Sequence, residues 1–433
     1  MSSPKKTALL LLVVLAAALV AVISFVHGRG SGSPERTAPP TTFVSVQNGR
    51  FVLEGRPYRF AGGNFWQGMN MGARAPIGDR KRLVAELKRM RRLGITNLRV
   101  LALSQGPNTE PYRVTPALET SPGVYDKRVL DGLDFLLAQI RKNGMTAVMV
   151  LNNYWQWSGG MAQYVSWSDG SPIPYPNQTG GWNRFMTYSD GFYDCAECRR
   201  WYRNDIHMLV EHVNAYTHQK YRNDPAIFSW ELANEPRSYP DAWIDDTASY
   251  IKSLDPNHMV TTGSEGAPPG EGDDFAKTHD DPDIDYATIH IWPQNWGFFD
   301  PAHPSSYESA ERMALGYLSD REDASAKLGK PLVLEEFGLA RDWKPLHDVY
   351  DPRSTTTYRD RYYRALYAAV EQSVSSDGPL QGDNFWAWAG KARPGSRWIG
   401  DPPHEKAGWY SVYDADGSTL SIISAHARRL EGR

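Results

Sequence analysis

Ala226-Ile227-Phe228-Ser229-Trp230-Glu231-Leu232-Ala233-Asn234-Glu235-Pro236 is the stretch on which the fold turns. Its first seven residues form a short, mostly apolar and aromatic run, the pattern of a strand buried on both faces. The run then breaks abruptly into an amide, a carboxylate and a proline. Strand ends that carry chemistry in this way belong to parallel sheets, whose loops build a site at the carboxyl ends of the strands.

Seven more runs share this character. Tyr58–Gly62, Thr96–Leu101 and Thr146–Asn152 precede it, and His258–Gly263, Tyr286–Ile291, Pro331–Glu336 and Asp383–Trp388 follow. Helical patterns separate them. Leu83, Leu87 and Met90 recur on one helical face before Gly94, and Leu130, Leu133, Leu137 and Ile140 do so before Gly144. Glycine at both ends is a common helix stop. Longer helices are expected at Arg199–Lys220, Pro240–Leu254, Tyr307–Leu328 and Thr355–Ser373, while the fifth unit lacks a well-defined helix. Strand–helix alternation with this count predicts an α/β fold: a single (β/α)8 barrel with enlarged βα loops, spanning residues 43–433.

Composition narrows the function. Of 433 residues 41% are hydrophobic and 22% charged, with a formal net charge of -3, so nothing points to a nucleic-acid partner. The 15 Trp and 23 Tyr suit stacking on the apolar faces of sugar rings, although core packing explains most aromatics equally well. At the N-terminus, Lys5 and Lys6 precede an apolar and small-residue run from Thr7 to Val26. Residues 1–27 read as an export signal or an uncleaved membrane anchor. Residues 28–42, rich in Gly, Ser, Pro and Thr, read as a flexible tether. The body is therefore expected outside the cytoplasm, secreted or tethered, with membrane contact only through the N-terminal segment. Cys195 and Cys198 are the only two cysteines. One C-x-x-C pair cannot complete a zinc site, so a local disulfide is the expected state. No other ligand cluster calls for a metal or organic cofactor.

Polar residues recur at the end of every strand: Asn64, Arg99, Asn152-Asn153, Asn234-Glu235, Ser264-Glu265, His290, Glu335-Glu336, and the Trp386 and Trp388 pair. Singly, each has an ordinary explanation. Arg99 reads as an ion-pair partner, His290 as a satisfied core histidine, and a Glu before Phe-Gly as a loop residue. A barrel has no structural need for all of them at one rim. Glycoside hydrolysis needs one carboxylic acid to protonate the leaving oxygen and one carboxylate at the anomeric carbon. Glu235 and Glu336, from the fourth and seventh strands, suit these roles. Asn234 is placed to bind the sugar 2-OH, and Arg99 to keep Glu336 ionised while burial raises Glu235. Glu335 is the rival to Glu336, and alternation along a strand lets only one of them face the substrate.

The sequence resembles glycoside hydrolase family 5, and within it the β-mannanases, over nearly the whole chain after the tether. Gly63-Asn64-Phe65-Trp66, Asn97-Leu98-Arg99-Val100, Asn152-Asn153-Tyr154-Trp155 and Gly159-Gly160-Met161-Ala162-Gln163-Tyr164 carry the resemblance. So do Trp230 to Arg237, Ile289-His290-Ile291-Trp292-Pro293, Leu334-Glu335-Glu336-Phe337-Gly338, Asn384-Phe385-Trp386-Ala387-Trp388, Pro403-His404-Glu405 and Gly408-Trp409-Tyr410. The resemblance implies Glu235 as acid/base and Glu336, rather than Glu335, as nucleophile. It implies substrate-binding or nucleophile-supporting roles for Arg99, Asn234, His290 and Trp386. Trp388 competes with Trp386 for sugar stacking; Trp66, Trp155 and Trp157 are further aromatic candidates. Where many relatives carry Tyr after the histidine, this chain has Trp292, whose indole donates a hydrogen bond but accepts no proton. The implied activity is retaining, endo-acting hydrolysis of β-1,4-mannosidic bonds in mannan, glucomannan or galactomannan, without a cofactor. Exo-acting β-mannosidase or β-1,4-glucanase activity is the alternative within the family. A non-catalytic tethered carbohydrate-binding protein is the alternative from another class.

Overall fold

Strands that are apolar on both faces have only one stable use, a sheet covered on both sides, and eight of them form here. The computed structural model describes residues 41–179, 181–266 and 275–432. The strands are β1 (Phe60–Asn64), β2 (Asn97–Leu101), β3 (Thr146–Val150), β4 (Ile227–Glu231), β5 (Met259–Thr261), β6 (Ala287–Ile291), β7 (Leu332–Phe337) and β8 (Leu380–Phe385). Every residue in them is buried. They pair in parallel in the spatial order β5-β4-β3-β2-β1-β8-β7-β6. The remaining seam, between β5 and β6, is drawn together by Asp285 N donating to Val260 O (2.8 Å) and His290 N to Glu265 O (3.1 Å). Thr261 Oγ1 adds a bond to Tyr286 O (2.9 Å) and Thr288 Oγ1 one to Ser264 O (3.0 Å). The result is the expected (β/α)8 barrel.

The outer helices are α1 (Arg80–Arg92), α2 (Lys127–Lys142), α3 (Ala196–Glu211), α4 (Asp241–Leu254), α5 (Phe275–His279), α6 (Tyr307–Leu328), α7 (Thr357–Ser375) and α8 (Gly417–Glu431). Asp79 caps α1 by accepting from Arg82 N, and Asp126 caps α2 by accepting from Arg128 N. The predicted stripes are the buried faces: Leu83, Leu87 and Met90 of α1, and Leu133, Leu137 and Ile140 of α2. The fifth helix is a single short turn, as its weak pattern implied.

Several boundaries differ from expectation, and three of them have a visible cause. β1 begins at Phe60, two residues late, because Tyr58 instead donates its backbone N–H to Phe51 O. α3 stops at Glu211 instead of Lys220, where Asn214 accepts the N–H groups of Tyr216 and Thr217 and turns the chain. β8 begins at Leu380, three residues before the run expected at Asp383–Trp388, and ends before Trp386. Its polar residues hid it. Gln381 accepts from Phe51 N, Asp383 meets His426 of α8 at 2.8 Å, and Asn384 donates to Asn97.

The amino end of the barrel is plugged. Phe51, from a small antiparallel sheet, stacks edge-on against Phe228 and Tyr286 at 5.2 and 5.4 Å. With Phe60, Val148, Met259 and Val333 they form one apolar layer. The carboxyl end is left open and is walled by two long connections. Residues 151–195 contain the helices Gly160–Asp169, Pro176–Thr179 and Trp182–Asp194, and residues 386–416 follow β8. Cys195 and Cys198 are disulfide-bonded at the start of α3. Residues 1–40, on which the expected export segment and most of the expected tether fall, lie outside the described residues. No helix among the described residues is long and apolar enough to cross a membrane.

Candidate active site

The centre of the open end is Arg99, the third residue of β2, only 2% exposed. An arginine buried in a barrel must be matched by carboxylates. Its Nε and Nη2 grip Glu231 of β4 at 2.7 and 2.5 Å. Nη2 also donates to Asn234 Oδ1 (2.8 Å), and Nη1 to Asn64 Oδ1 (3.2 Å) and to Glu336. One guanidinium thus ties the ends of β1, β2, β4 and β7 into a single rigid floor.

Glu235 stands on the next turn of the chain after β4, in the left-handed region at φ 49°. That conformation is uncommon for a side chain of this size and is held by Glu235 N donating to Gly263 O (2.9 Å). Gly263 must itself be glycine. At φ +75° an added Cβ would lie 2.0 Å from Ala233 O and 2.4 Å from a Glu231 carboxylate oxygen. The Glu235 carboxylate is clasped by His290 Nδ1 (2.7 Å) on one oxygen and by Trp155 Nε1 (2.5 Å) on the other. His290 Nδ1 lies 3.5 Å from Glu336 as well. Ligand atoms of Glu235, His290 and Glu336 all fall within 4.8 Å of one another. Such a trio has the spacing of a metal set, and an ion bound there would displace the proton between His290 and Glu235.

Strand alternation does not separate Glu335 from Glu336 as expected. The β6–β7 register runs Ile289 opposite Leu334 and then His290 opposite Glu336, which leaves Glu335 as the extra residue of a bulge. Both carboxylates therefore turn toward Arg99 and His290. Only Glu336 reaches the cavity above.

That cavity has a volume of about 770 Å³, and Asn234, Glu235 and Glu336 lie on its floor. Seven of the chain's tryptophans line it: Trp155, Trp157, Trp182, Trp292, Trp296, Trp386 and Trp409. The high tryptophan content is thus in large part a site property. Trp386 and Trp155 are thus both in the cavity lining. Trp292 forms part of the wall, and no hydrogen bond among the described residues joins it to Glu336. Arg99 and His290 lie below the cavity and act on its carboxylates, not on its contents. Two aromatic expectations fail. Trp388 is wholly buried behind the wall, donating to Glu86 of α1 at 3.1 Å. Trp66 is also buried, its Nε1 donating to Gly400 O (2.6 Å), and it braces Trp157 edge-on. Both indoles spend their N–H on structure because the long connection after β8 folds over them.

Several lining groups were missed as site residues. Arg237 pairs with Glu265, and its guanidinium lies 5.3 Å from the Trp155 ring centre. His404, Glu405 and Lys406 close the cavity from the connection after β8. Glu231, which lies below the cavity against Arg99, had a readable signal, a carboxylate inside an apolar strand run. The others sit on loops, where sequence periodicity says nothing.

The charge states reverse the expectation. Burial pushes Glu336 up to about 7, because His290 and Arg99, which pull it down, are shared with other carboxylates. Burial also raises Glu235, but the hydrogen bond and charge of His290, with Arg237 and Trp155, bring it down to about 2. His290 itself is lowered by burial and raised by Glu336, Glu235 and Glu335, with the net result about 10. The proton between Glu235 and His290 therefore rests on His290. The two groups titrate as one unit.

A family model described as GH family 5 β-mannosidase-like matches residues 41–432. The chain belongs to this family. It is a glycoside hydrolase, and the cavity above Glu235 and Glu336 is the family member's candidate active site. A family 5 mannosidase from Rhizomucor miehei is 39% identical, with a TM-score of 0.87 over 91% of this chain and 98% of that one. A putative mannan endo-1,4-β-mannosidase 9 from Oryza sativa subsp. japonica is 32% identical over 408 residues, 90% of each chain. An endo-1,4-β-mannanase from Rhizomucor miehei, 24% identical with a TM-score of 0.68, covers 90% of this chain and 100% of that one and shares the fold.

Proposed function

We propose that this family 5 member hydrolyses β-1,4-mannosidic bonds with retention, by double displacement. The observation that carries the mechanism is the closeness of the two carboxylates. Their ligand atoms lie within 4.8 Å, in keeping with the separation of about 5–5.5 Å of retaining enzymes and well short of the roughly 6.5–9.5 Å of inverting ones. Glu336, its oxygen fixed by Arg99, attacks the anomeric carbon. Glu235 protonates the departing oxygen, receiving a proton from the pair it forms with His290. Water then enters, Glu235 takes its proton, and the glycosyl bond to Glu336 breaks. Asn234, held by Arg99 and Asn153, offers its amide to the sugar beside the nucleophile.

Mannan-type substrates are supported by the names of the relatives and by the Rhizomucor mannosidase variant solved with mannosyl-fructose. Endo-action is the reading that the rice relative favours. Release of single mannose units is the alternative within the family. Export by residues 1–27, with residues 43–433 as the catalytic domain, belongs to the same proposal.

Product analysis on mannan, glucomannan, cellulose and reduced mannohexaose tests it. Mixed oligosaccharides from mannan support endo-action, and mannose alone supports exo-action. Activity on cellulose alone would overturn the substrate. Binding without cleavage would turn the molecule into a carbohydrate receptor.

A further inference from the structure

Beneath the reacting groups lies a carboxylate that double displacement does not use. Glu335 is wholly buried, and the bulge in β7 points it at the underside of His290. His290 Nε2 is 3.7 Å from Glu335, an ion-pair distance, while Nδ1 on the opposite side of the ring bonds Glu235 at 2.7 Å. Neither Glu335 oxygen, nor His290 Nε2, has a hydrogen-bond partner among the described residues. A carboxylate in that position is compensated by charge alone, here by His290 and by Arg99 Nε at 3.6 Å. Its backbone is pinned as well, since Asn64 Nδ2 donates to Glu335 O at 2.9 Å.

We propose that Glu335 is a positioning residue: its buried carboxylate holds the His290 ring from below and keeps it cationic, so that Nδ1 always presents a proton to Glu235. The inference rests on the acid/base reading of Glu235. Only an imidazole protonated on both nitrogens donates toward both carboxylates, and a neutral ring must choose one. The groups that face His290 are Glu231 of β4, Glu235 after it, Glu265 after β5, and Glu335 and Glu336 of β7, with Arg99 of β2 among them. Carboxylates outnumber the cations, and their combined charge opposes loss of the ring proton. Glu335 is the one of them set against Nε2 without touching the cavity. It therefore acts on proton transfer without contacting the sugar.

Glu335→Gln, made in the full chain, keeps the shape and removes the charge. The proton shared by Glu235 and His290 is then held less tightly. The alkaline limb of kcat/KM on an aryl β-mannoside should move to lower pH by about one unit or more. Glu335→Asp, which keeps the charge, should return the limb toward the wild-type position. The loss in kcat should be larger for an alkyl leaving group, which needs the acid, than for a dinitrophenyl one. NMR of ¹⁵N-histidine-labelled wild-type protein supplies a readout that needs neither turnover nor a change at Glu335, with His290→Asn used only to assign the signal. The His290 ring should remain doubly protonated above pH 8. A wild-type ring that loses its proton near the ordinary histidine value of about 6.5 overturns the proposal. So does a folded Glu335→Gln protein with an unmoved alkaline limb. Absence of β-mannoside hydrolysis by the wild type would remove the functional reading and leave the ring titration to decide this one.

Discussion

At Glu336 two demands conflict, because a nucleophile must be ionised in a place where burial opposes charge. Burial prevails and sets it at about 7, against an ordinary value of 4.5. The acid limb of kcat/KM should therefore lie near pH 7, with activity falling about tenfold per unit below it. A stability consequence follows with a definite sign. The folded state binds the Glu336 proton more tightly than the unfolded chain does, so this contribution is complete at low pH and is lost as pH rises from 4.5 to about 7. The slope is at most about 1.4 kcal/mol per pH unit. Glu336→Gln should be inactive yet more stable than wild type at pH 7.5, with the difference vanishing by pH 4. Urea unfolding at the two pH values checks this. Glu235→Ala should lower kcat by about 10²–10⁴-fold on an aryl β-mannoside. Azide enters the space left by the carboxylate, and it should restore turnover and yield the β-mannosyl azide. Recovery of the α-azide would mean that the reaction does not proceed through a covalent intermediate on Glu336.

At the scale of elements, a second buried acidic pair joins the connections after β2 and β3 to α3. Glu119, in the short strand Glu119–Ser121, lies beside Asp205 of α3. Tyr125 and Tyr164 each donate to Asp205 at 2.5 Å, and Gly123 N donates to Glu119 at 2.8 Å. Burial, and then the charge of Asp205, push Glu119 far above the ordinary carboxylate range, so the pair retains a proton. Because the folded state holds that proton, its contribution to stability is lost as pH rises above the ordinary carboxylate range. Glu119→Gln carries a permanent neutral amide in its place. It should gain about 1–3 kcal/mol over wild type at pH 9, the size of one relieved buried group, and little at pH 5. Equal pH dependence of the thermal unfolding of the two proteins would show that the pair holds no shared proton.

Across the whole molecule, the plugged amino end and open carboxyl end make the barrel a one-sided device. The described residues all fall within one compact unit, and among them the groups that line the site come from residue 155 onward. Removing residues 1–42 should leave kcat/KM within about twofold of the full chain, since the described residues that line the cavity all lie well beyond that segment. The same deletion should abolish export, which fractionation of expressing cells would detect. Appearance of the shortened protein outside the cytoplasm would count against residues 1–27 as the export segment.

The sequence by itself determined the number and order of the strands, the helical faces that cover them, and the rim of polar residues from which Glu235 and Glu336 stand out. These are local properties: a strand buried on both faces must be apolar along its length, and a helix on it must carry one apolar stripe. β8 was misread for a related reason. Its Gln381, Asp383 and Asn384 are tolerable only because Phe51, His426 and Asn97 arrive from elsewhere in the chain. Tertiary structure alone decided which tryptophans face the cavity, sending Trp66 and Trp388 behind the wall. It also decided that one bulge turns Glu335 inward beside Glu336. The charges depend on it most strongly, because the proton affinity of a buried group is set by every charge within a few ångströms. In the barrel mouth those charges come from strands far apart in the chain, Arg99 and Glu336 being 237 residues apart.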